Sequence, residues 1–349
     1  MTLPESMCVE LPPVIRIAPR PRAQPARPLR VVALGGGTGL PVVLRGLAPH
    51  VRPRKGRRGV DLTAVVAMSD DGGSSGRLRR SRGLLPPGDL RNCLVALASV
   101  KGPLAEVLQH RFGGRGSLAG HALGNLVLAA LAEMHGDFLQ AIRSASKLLD
   151  TRGTVLPSTV EPVQLVAELE DGRRVVGERH LVRAGTCVRR VFLHPSRPTA
   201  AEGVLEAIAS ADLITLGPGS LYSSVLPNLL VDGVAEALRT TRARRILVAN
   251  LMTEPGETAG MGVVDHLRAV LEHAGPVVAV FFLNSTPLDA DRLARYARAG
   301  AEPVRTNLES IRALGVVPIE GDLLKAGHRL RHDARKLGKA LISAVEGQG

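Results

Sequence analysis

Two loops carry the residue types most able to do chemistry. The first is Ser69-Asp-Asp-Gly-Gly-Ser-Ser-Gly76, where two adjacent carboxylates, Asp70 and Asp71, precede two glycines and two hydroxyls. Carboxylates can hold a metal ion, glycines let the backbone approach a ligand, and hydroxyls can donate to phosphate oxygens. The chemistry suggested is a phosphorylated or metal-bridged ligand, set against the plainer reading of a solvated turn rich in Asp, Gly and Ser. The second is Gly35-Gly-Gly-Thr-Gly39, which directly precedes Leu40-Pro-Val-Val-Leu44. A short apolar strand, Leu29 to Leu34, enters it, and a helix capped by Thr38 or Gly39, with Pro41 in its first turn, leaves it. Free N–H groups and the helix dipole make such a junction an anion site. Gly35 and Gly37 are followed by Leu40 where a dinucleotide fingerprint needs a third glycine, and no Gly-Lys-Ser/Thr follows as in a P-loop.

Further polar groups fall after other apolar runs. Pro86-Pro-Gly-Asp-Leu-Arg-Asn92 leads into a helix for which Asp89 is the expected N-cap, with Arg91 and Asn92 in its first turn. His121 and Asn125, four apart, share a face near the start of a helix carrying Leu126, Val127, Ala130 and Leu131, where His121 is a binding candidate. Leu216 gives way to Gly217-Pro-Gly-Ser-Leu-Tyr-Ser-Ser224, and Met252 to Thr253-Glu-Pro-Gly-Glu-Thr258.

These loops need a frame that brings them together. Apolar strands alternate with helical patterns over most of the chain, so the expected fold is α/β, a Rossmann-like doubly wound parallel sheet. At least four strands end in polar, glycine-bearing loops, and a parallel sheet gathers all such ends on one edge. Between residues 163 and 178 the period changes to two around Glu170-Asp-Gly172, predicting a small antiparallel hairpin excursion. From Val188 the βα alternation is expected to resume, with Val188 to His194 as the next strand. Residues 1–28, rich in Pro and Arg, read as a disordered extension, and residues 30–349 as a single α/β domain.

Composition narrows the function classes. The chain has 349 residues, 45% of them hydrophobic, enough for a large core. No apolar run reaches the ~18–20 residues of a membrane span, and prolines and acids near the N-terminus break any signal-peptide core, so a cytoplasmic location is expected. Three separated cysteines form no CxxC pair and suggest no zinc site. The net charge of +13 includes a basic cluster, Arg45, Arg52, Arg54, Lys55, Arg57 and Arg58, that could meet an anionic surface. With aromatics at 2% and no Trp, stacking platforms are scarce and a nucleic-acid role is disfavoured.

Taken together, Gly35-Gly-Gly-Thr-Gly-Leu40, Asp70-Asp-Gly-Gly-Ser-Ser-Gly-Arg77, Pro87-Gly-Asp-Leu-Arg-Asn92, Gly120-His-Ala-Leu-Gly-Asn125, Gly217-Pro-Gly-Ser-Leu-Tyr222 and Met252-Thr-Glu-Pro-Gly-Glu-Thr258 resemble the YvcK branch of the YvcK/CofD family, the gluconeogenesis factors. The resemblance runs from about Arg30 to the C-terminal helix. It implies binding of UDP-N-acetylglucosamine by a non-catalytic regulatory protein of cell shape and envelope synthesis during gluconeogenic growth. The ligand-binding positions it implies are Gly36, Gly37, Thr38, Asp70, Asp71, Ser74, Ser75, Asn92, Asn125, Gly217, Gly219 and Ser220, with Tyr296 and Arg331 nearer the C-terminus. Expected partners are envelope-synthesis proteins and further copies of the chain. The alternative it implies is a CofD-like transferase moving a phospholactyl group from a guanosine nucleotide to a deazaflavin, in which Asp70 and Asp71 would hold Mg²⁺; no residue is an evident nucleophile. Glu254 departs from the family's usual Gln and adds negative charge at a loop expected to face the ligand.

Overall fold

A computed structural model describes residues 27–53, 58–99, 102–184 and 186–347. Residues 1–26 of the extension, and Arg54, Lys55 and Arg57 of the basic cluster, lie outside the described residues. Ten strands follow in chain order: β1 (Leu29–Gly35), β2 (Val60–Val66), β3 (Thr154–Pro157), β4 (Gln164–Leu169), β5 (Arg174–Val176), β6 (Val188–His194), β7 (Leu213–Leu216), β8 (Arg244–Val248), β9 (Val280–Asn284) and β10 (Val317–Gly321). Seven form a parallel sheet in the order β3-β2-β1-β7-β8-β9-β10. Helices cover both faces, which is why β7 is buried at all four positions and β1 at six of seven. The chain winds outward from β1 to β3, then returns beside β1 as β7 and winds the other way. This is the doubly wound order, and the reversal between β1 and β7 opens a crevice at the carboxyl ends of the strands.

The helices that matter for this crevice are α1 (Leu40–Leu47), α2 (Gly73–Arg82), α3 (Gly88–Leu97), α4 (Pro103–Gln109), α5 (Leu123–His135), α6 (Phe138–Leu148) and α7 (Glu178–Arg183). The loops after β2, β1, β7 and β8 leave four neighbouring strands, so the polar loops expected to converge do share one stretch of the sheet edge. Helix α1 is fixed by an unusually close crossing with the C-terminal helix Ala334–Glu346. A Cβ on Gly46 would lie 2.1 Å from the Ala334 carbonyl oxygen, and one on Gly338 would lie 2.4 Å from that of Gly46. Only glycine at both positions lets the two backbones touch.

Strand β6 departs from expectation. Val188–His194 does not extend the parallel sheet but pairs antiparallel with β4, giving a separate sheet in the order β5-β4-β6. The reason is in its residues: Arg189 and Arg190 are exposed while Val188 and Val191 are buried. The alternation of exposed and buried positions along β6 suits a sheet with one solvated face, whereas the parallel sheet is covered on both. In the small sheet, Glu168 takes ion pairs from Arg174 and Arg189 at 3.3 Å each. The hairpin itself forms at Glu170-Asp-Gly172, where Gly172 has φ 83°. No helix among the described residues is long and apolar enough to cross a membrane.

Candidate ligand-binding site

The glycine loop after β1 and the loop after β7 are pressed together. A Cβ on Gly39 would lie 1.9 Å from the Pro218 carbonyl oxygen, so this position tolerates no side chain without movement of one loop. Gly39, not Thr38, stands at the N-cap of α1, and no side chain caps that helix. Thr38 is thereby left to face the crevice. Gly37 and Gly217 adopt φ 58° and 68°, left-handed conformations that suit glycine. Two asparagines hold the arrangement. Asn250, just after β8, accepts from the Gly219 N–H at 3.1 Å and donates to the Gly219 carbonyl at 2.9 Å. Buried Asn228 donates to the carbonyls of Gly35 (3.1 Å) and Ser224 (2.8 Å).

Over these loops lies a cavity of about 560 Å³. Thr38, Gly219, Ser220, Tyr296 and Arg331 line it, as do Asn250 and Glu254. Burial raises the pKa of Glu254, partly offset by the Ser220 hydroxyl bonded to it. The Tyr296 hydroxyl is anchored by the Leu330 N–H at 3.1 Å, which fixes the ring against the segment carrying Arg331. Val182 of α7 completes the wall, so the antiparallel lobe belongs to the cleft.

A second cavity of about 230 Å³ gathers Asp70, Ser74, Ser75, Asn92 and Asn125, together with Asp89, Arg91 and Arg111. Helix α2 begins at Gly73, four residues earlier than the Arg77 start suggested by its arginines, which puts Ser74 and Ser75 in its first turn. A chain of hydrogen bonds orders this pocket. Arg91 donates to Asn125 (2.8 Å) and Asn92 (2.7 Å), and Asn125 donates to the Ser74 hydroxyl (3.0 Å). Ser74 lies 2.9 Å from His121 Nδ1. Burial, with Arg77 and Arg111 nearby, lowers the His121 pKa, which favours the neutral ring beside the Ser74 hydroxyl. His121 thus supports the pocket from behind.

Asp89 is not the N-cap of α3; Pro87 stands there, and no side chain caps the helix. Instead the Asp89 carboxylate reaches the glycine loop and accepts from the Gly37 N–H at 2.5 Å. A Cβ on Gly36 would meet the same carboxylate at 2.7 Å. Gly36 and Gly37 therefore line neither cavity but join the glycine loop to the smaller one. Gly217 serves as the turn itself. Asp71 also lines neither cavity: it accepts from the Arg179 N–H of α7 at 3.3 Å, and a Cβ on Gly177 would lie 2.0 Å from its second oxygen.

These acids crowd one another. Burial, then the charge of Asp70, pushes the Asp89 pKa up to about 6. Burial raises Glu178 to about 8, with Asp70, Glu257, Asp89 and Asp71 adding to it. Burial and Glu254 raise Glu257 to about 7. For magnesium the fit divides: Asp70 lines the small cavity, whereas Asp71 is turned toward α7, and among the described residues no three His, Cys, Asp or Glu side chains converge as a metal cage. Asn228, Asn250, Arg111 and Glu178 were not among the expected site residues. Asn250 follows β8 at its carboxyl end and could have been found by the rule that flagged the other loops; Glu178 carries no such signal, because only tertiary packing brings it to the acids.

The fold and crevice define a doubly wound α/β protein with a cavity at the topological switch point. The chain belongs to the YvcK/CofD family: residues 31–324 match the family of 2-phospho-L-lactate transferase CofD. It is 44% identical over 314 residues to a gluconeogenesis factor of Halalkalibacterium halodurans, covering 89% of this chain and 95% of that one. With the gluconeogenesis factor of Bacillus subtilis it shares 40% identity over 319 residues, 91% of this chain and 98% of the relative. A crystal structure of a UPF0052-family protein of Bacillus halodurans superposes with a TM-score of 0.86 at 43% identity, covering 91% of this chain and 99% of that one.

Proposed function

We propose that this chain is a gluconeogenesis factor acting as a cytoplasmic regulatory protein that binds a nucleotide sugar of the UDP-N-acetylglucosamine type, with a role in cell shape and envelope synthesis under gluconeogenic growth. The observation that carries the reading is the cavity over the β1 and β7 loops. Thr38, Gly219 and Ser220 line it together with Tyr296 and Arg331. Backbone N–H groups beside a helix start suit a diphosphate, Arg331 adds a forked cation, and Tyr296 offers an aromatic wall to a base or sugar. The expected partners are enzymes of envelope synthesis, which would read the bound and free states.

Calorimetric titration with UDP-N-acetylglucosamine, UDP and GDP tests this. The uridine sugar should bind without turnover, and Thr38→Ala and Arg331→Ala should each weaken it about tenfold, the loss of one charge-assisted or well-placed hydrogen bond. Wild-type affinity in both variants would remove the site assignment.

The alternative, a CofD-like transferase, is favoured by one observation: Asp89 and Glu178 titrate near neutrality beside Asp70, where groups that exchange protons at physiological pH are useful. It requires joint binding of a guanosine nucleotide and a deazaflavin, measured with and without Mg²⁺.

A further inference from the structure

We infer that the solvated face of the antiparallel lobe is a docking surface for an acidic segment of a partner protein that also carries apolar side chains. Strand register lays out that face. Val166 of β4 is paired with Val176 of β5 on one side and with Phe192 of β6 on the other. Residues two apart along a strand point the same way, so the next row on this face is Arg174, Glu168 and Arg190. Leu165, Ala167, Leu169, Val191 and Leu193 are buried in the main hydrophobic core and form the inner face.

The row Val176–Val166–Phe192 is more than the lobe needs in order to fold. Val166 and Phe192, both half-buried, lie outside the hydrophobic core and outside the residues packed against it, and Val176 is 46% exposed. The solvated face of an antiparallel sheet is ordinarily polar, yet an apolar stripe crosses all three strands here. It runs over two inter-strand spacings, about 10 Å, which one helix or one extended segment covers.

The charges beside the stripe set what covers it. Arg174, Arg189 and Arg190 are exposed. Glu168, the acid among them, ion-pairs Arg174 and Arg189, and Arg190 is left without an ion pair among the described residues. Its guanidinium lies over the Phe192 ring instead, 5.4 Å from the centroid, so a cation borders the aromatic end of the stripe. Arg179 and Arg183 of α7 add exposed positive charge to the same lobe. An apolar centre with a charged rim, enriched in aromatic side chains and Arg, is the anatomy of a protein–protein interface. Its complement carries Leu, Phe or similar residues for the stripe and Asp or Glu for the arginines, and that electrostatic match selects the partner. A nucleic-acid backbone would meet the arginines but leave the valines uncovered. The face shares no residue with the nucleotide cleft, so the inference stands apart from the nucleotide reading.

Panning a displayed library of random peptides on the full-length protein tests the surface, with Val176→Asp and Arg190→Glu as comparison targets and Val107→Asp, at an exposed apolar position of α4, as the control. All three positions are exposed, so the variants should melt as the wild type does. Enriched peptides should combine Asp or Glu with apolar residues. Synthetic copies, followed by fluorescence anisotropy, should bind Val176→Asp and Arg190→Glu about tenfold more weakly than wild type, bind Val107→Asp equally well, and weaken with added salt. No enrichment, enrichment of basic or uncharged peptides, or equal binding to wild type and the two lobe variants would overturn the proposal. So would binding to phosphatidylglycerol vesicles that the two lobe substitutions abolish, which would make the face a membrane contact. Concentration-dependent self-association abolished by the same substitutions would give the face to a second copy of the chain and overturn it too.

Discussion

Glu178 and Asp89 give the site a pH dependence whose sign follows from their burial. Both carboxyls titrate higher in the folded protein than in the unfolded chain, at about 8 and about 6. The folded state therefore holds protons that the unfolded chain would release. The stability they contribute is complete in acid, below the ordinary carboxylate range, and is lost as pH rises through 6 and then 8. Glu178→Gln should flatten the decline between pH 6 and 9 and raise stability at pH 9 by about 1 kcal/mol or more, read from thermal melts across that range. An unchanged profile would mean that Glu178 is solvated. Asn228 offers a second test of the same scale. Asn228→Ala leaves the carbonyls of Gly35 and Ser224 without their buried donor and should cost about 1–3 kcal/mol in a denaturant titration. Individual roles at this scale were only partly legible. Asp70 and Asp71 look equivalent in the sequence, yet one lines a cavity and the other grips the N–H of Arg179, a residue far along the chain. No local pattern encodes that choice.

Elements were more legible than residues, and for a physical reason. Apolar runs that stop abruptly at glycine and hydroxyl clusters can only be strands leaving a core, so β1, β2, β7 and their loops were readable from composition. The failures came where tertiary contact overrode a local cue. Val188–His194 has strand propensity but pairs antiparallel with β4 in the small sheet, and α2 begins at Gly73, ahead of the arginine run that suggested its start. The Gly46–Gly338 crossing was invisible for the same reason, since an isolated glycine in a helix reads as a weakness. Gly338→Ala should separate α1 from the C-terminal helix, cost about 1–3 kcal/mol as overpacking does, and shift Arg331 at the cleft. Chemical denaturation would measure the first effect and ligand affinity the second. Loss of stability with affinity intact would show that the crossing holds the fold but not the site.

At the scale of the whole molecule, the antiparallel lobe is tied to the large sheet at the site itself. Val182 lines the cleft, Arg179 holds Asp71, and the Val182 carbonyl lies 2.3 Å from where a Cβ on Gly256 would be. A ligand in the cleft should therefore slow hydrogen exchange in Glu178–Arg183 together with the loops after β1 and β7, the signature of one cooperative unit. Protection confined to the large-sheet loops would make the lobe a bystander. The parallel sheet and its shared edge followed from the strand-to-loop pattern, whereas the division of that edge into two cavities rests on side-chain directions and did not.

The contact between Gly39 and the Pro218 carbonyl joins loops from distant parts of the chain. During synthesis, the β1 loop leaves the ribosome long before the β7 loop exists, and the strands β2 to β6 must be placed meanwhile. A chain that stops short of β7 lacks Gly219 and Ser220, which line the cavity with Thr38. Occupancy would thus report a finished molecule, and a cell rich in the ligand would favour completed, correctly wound copies over stalled or misfolded ones.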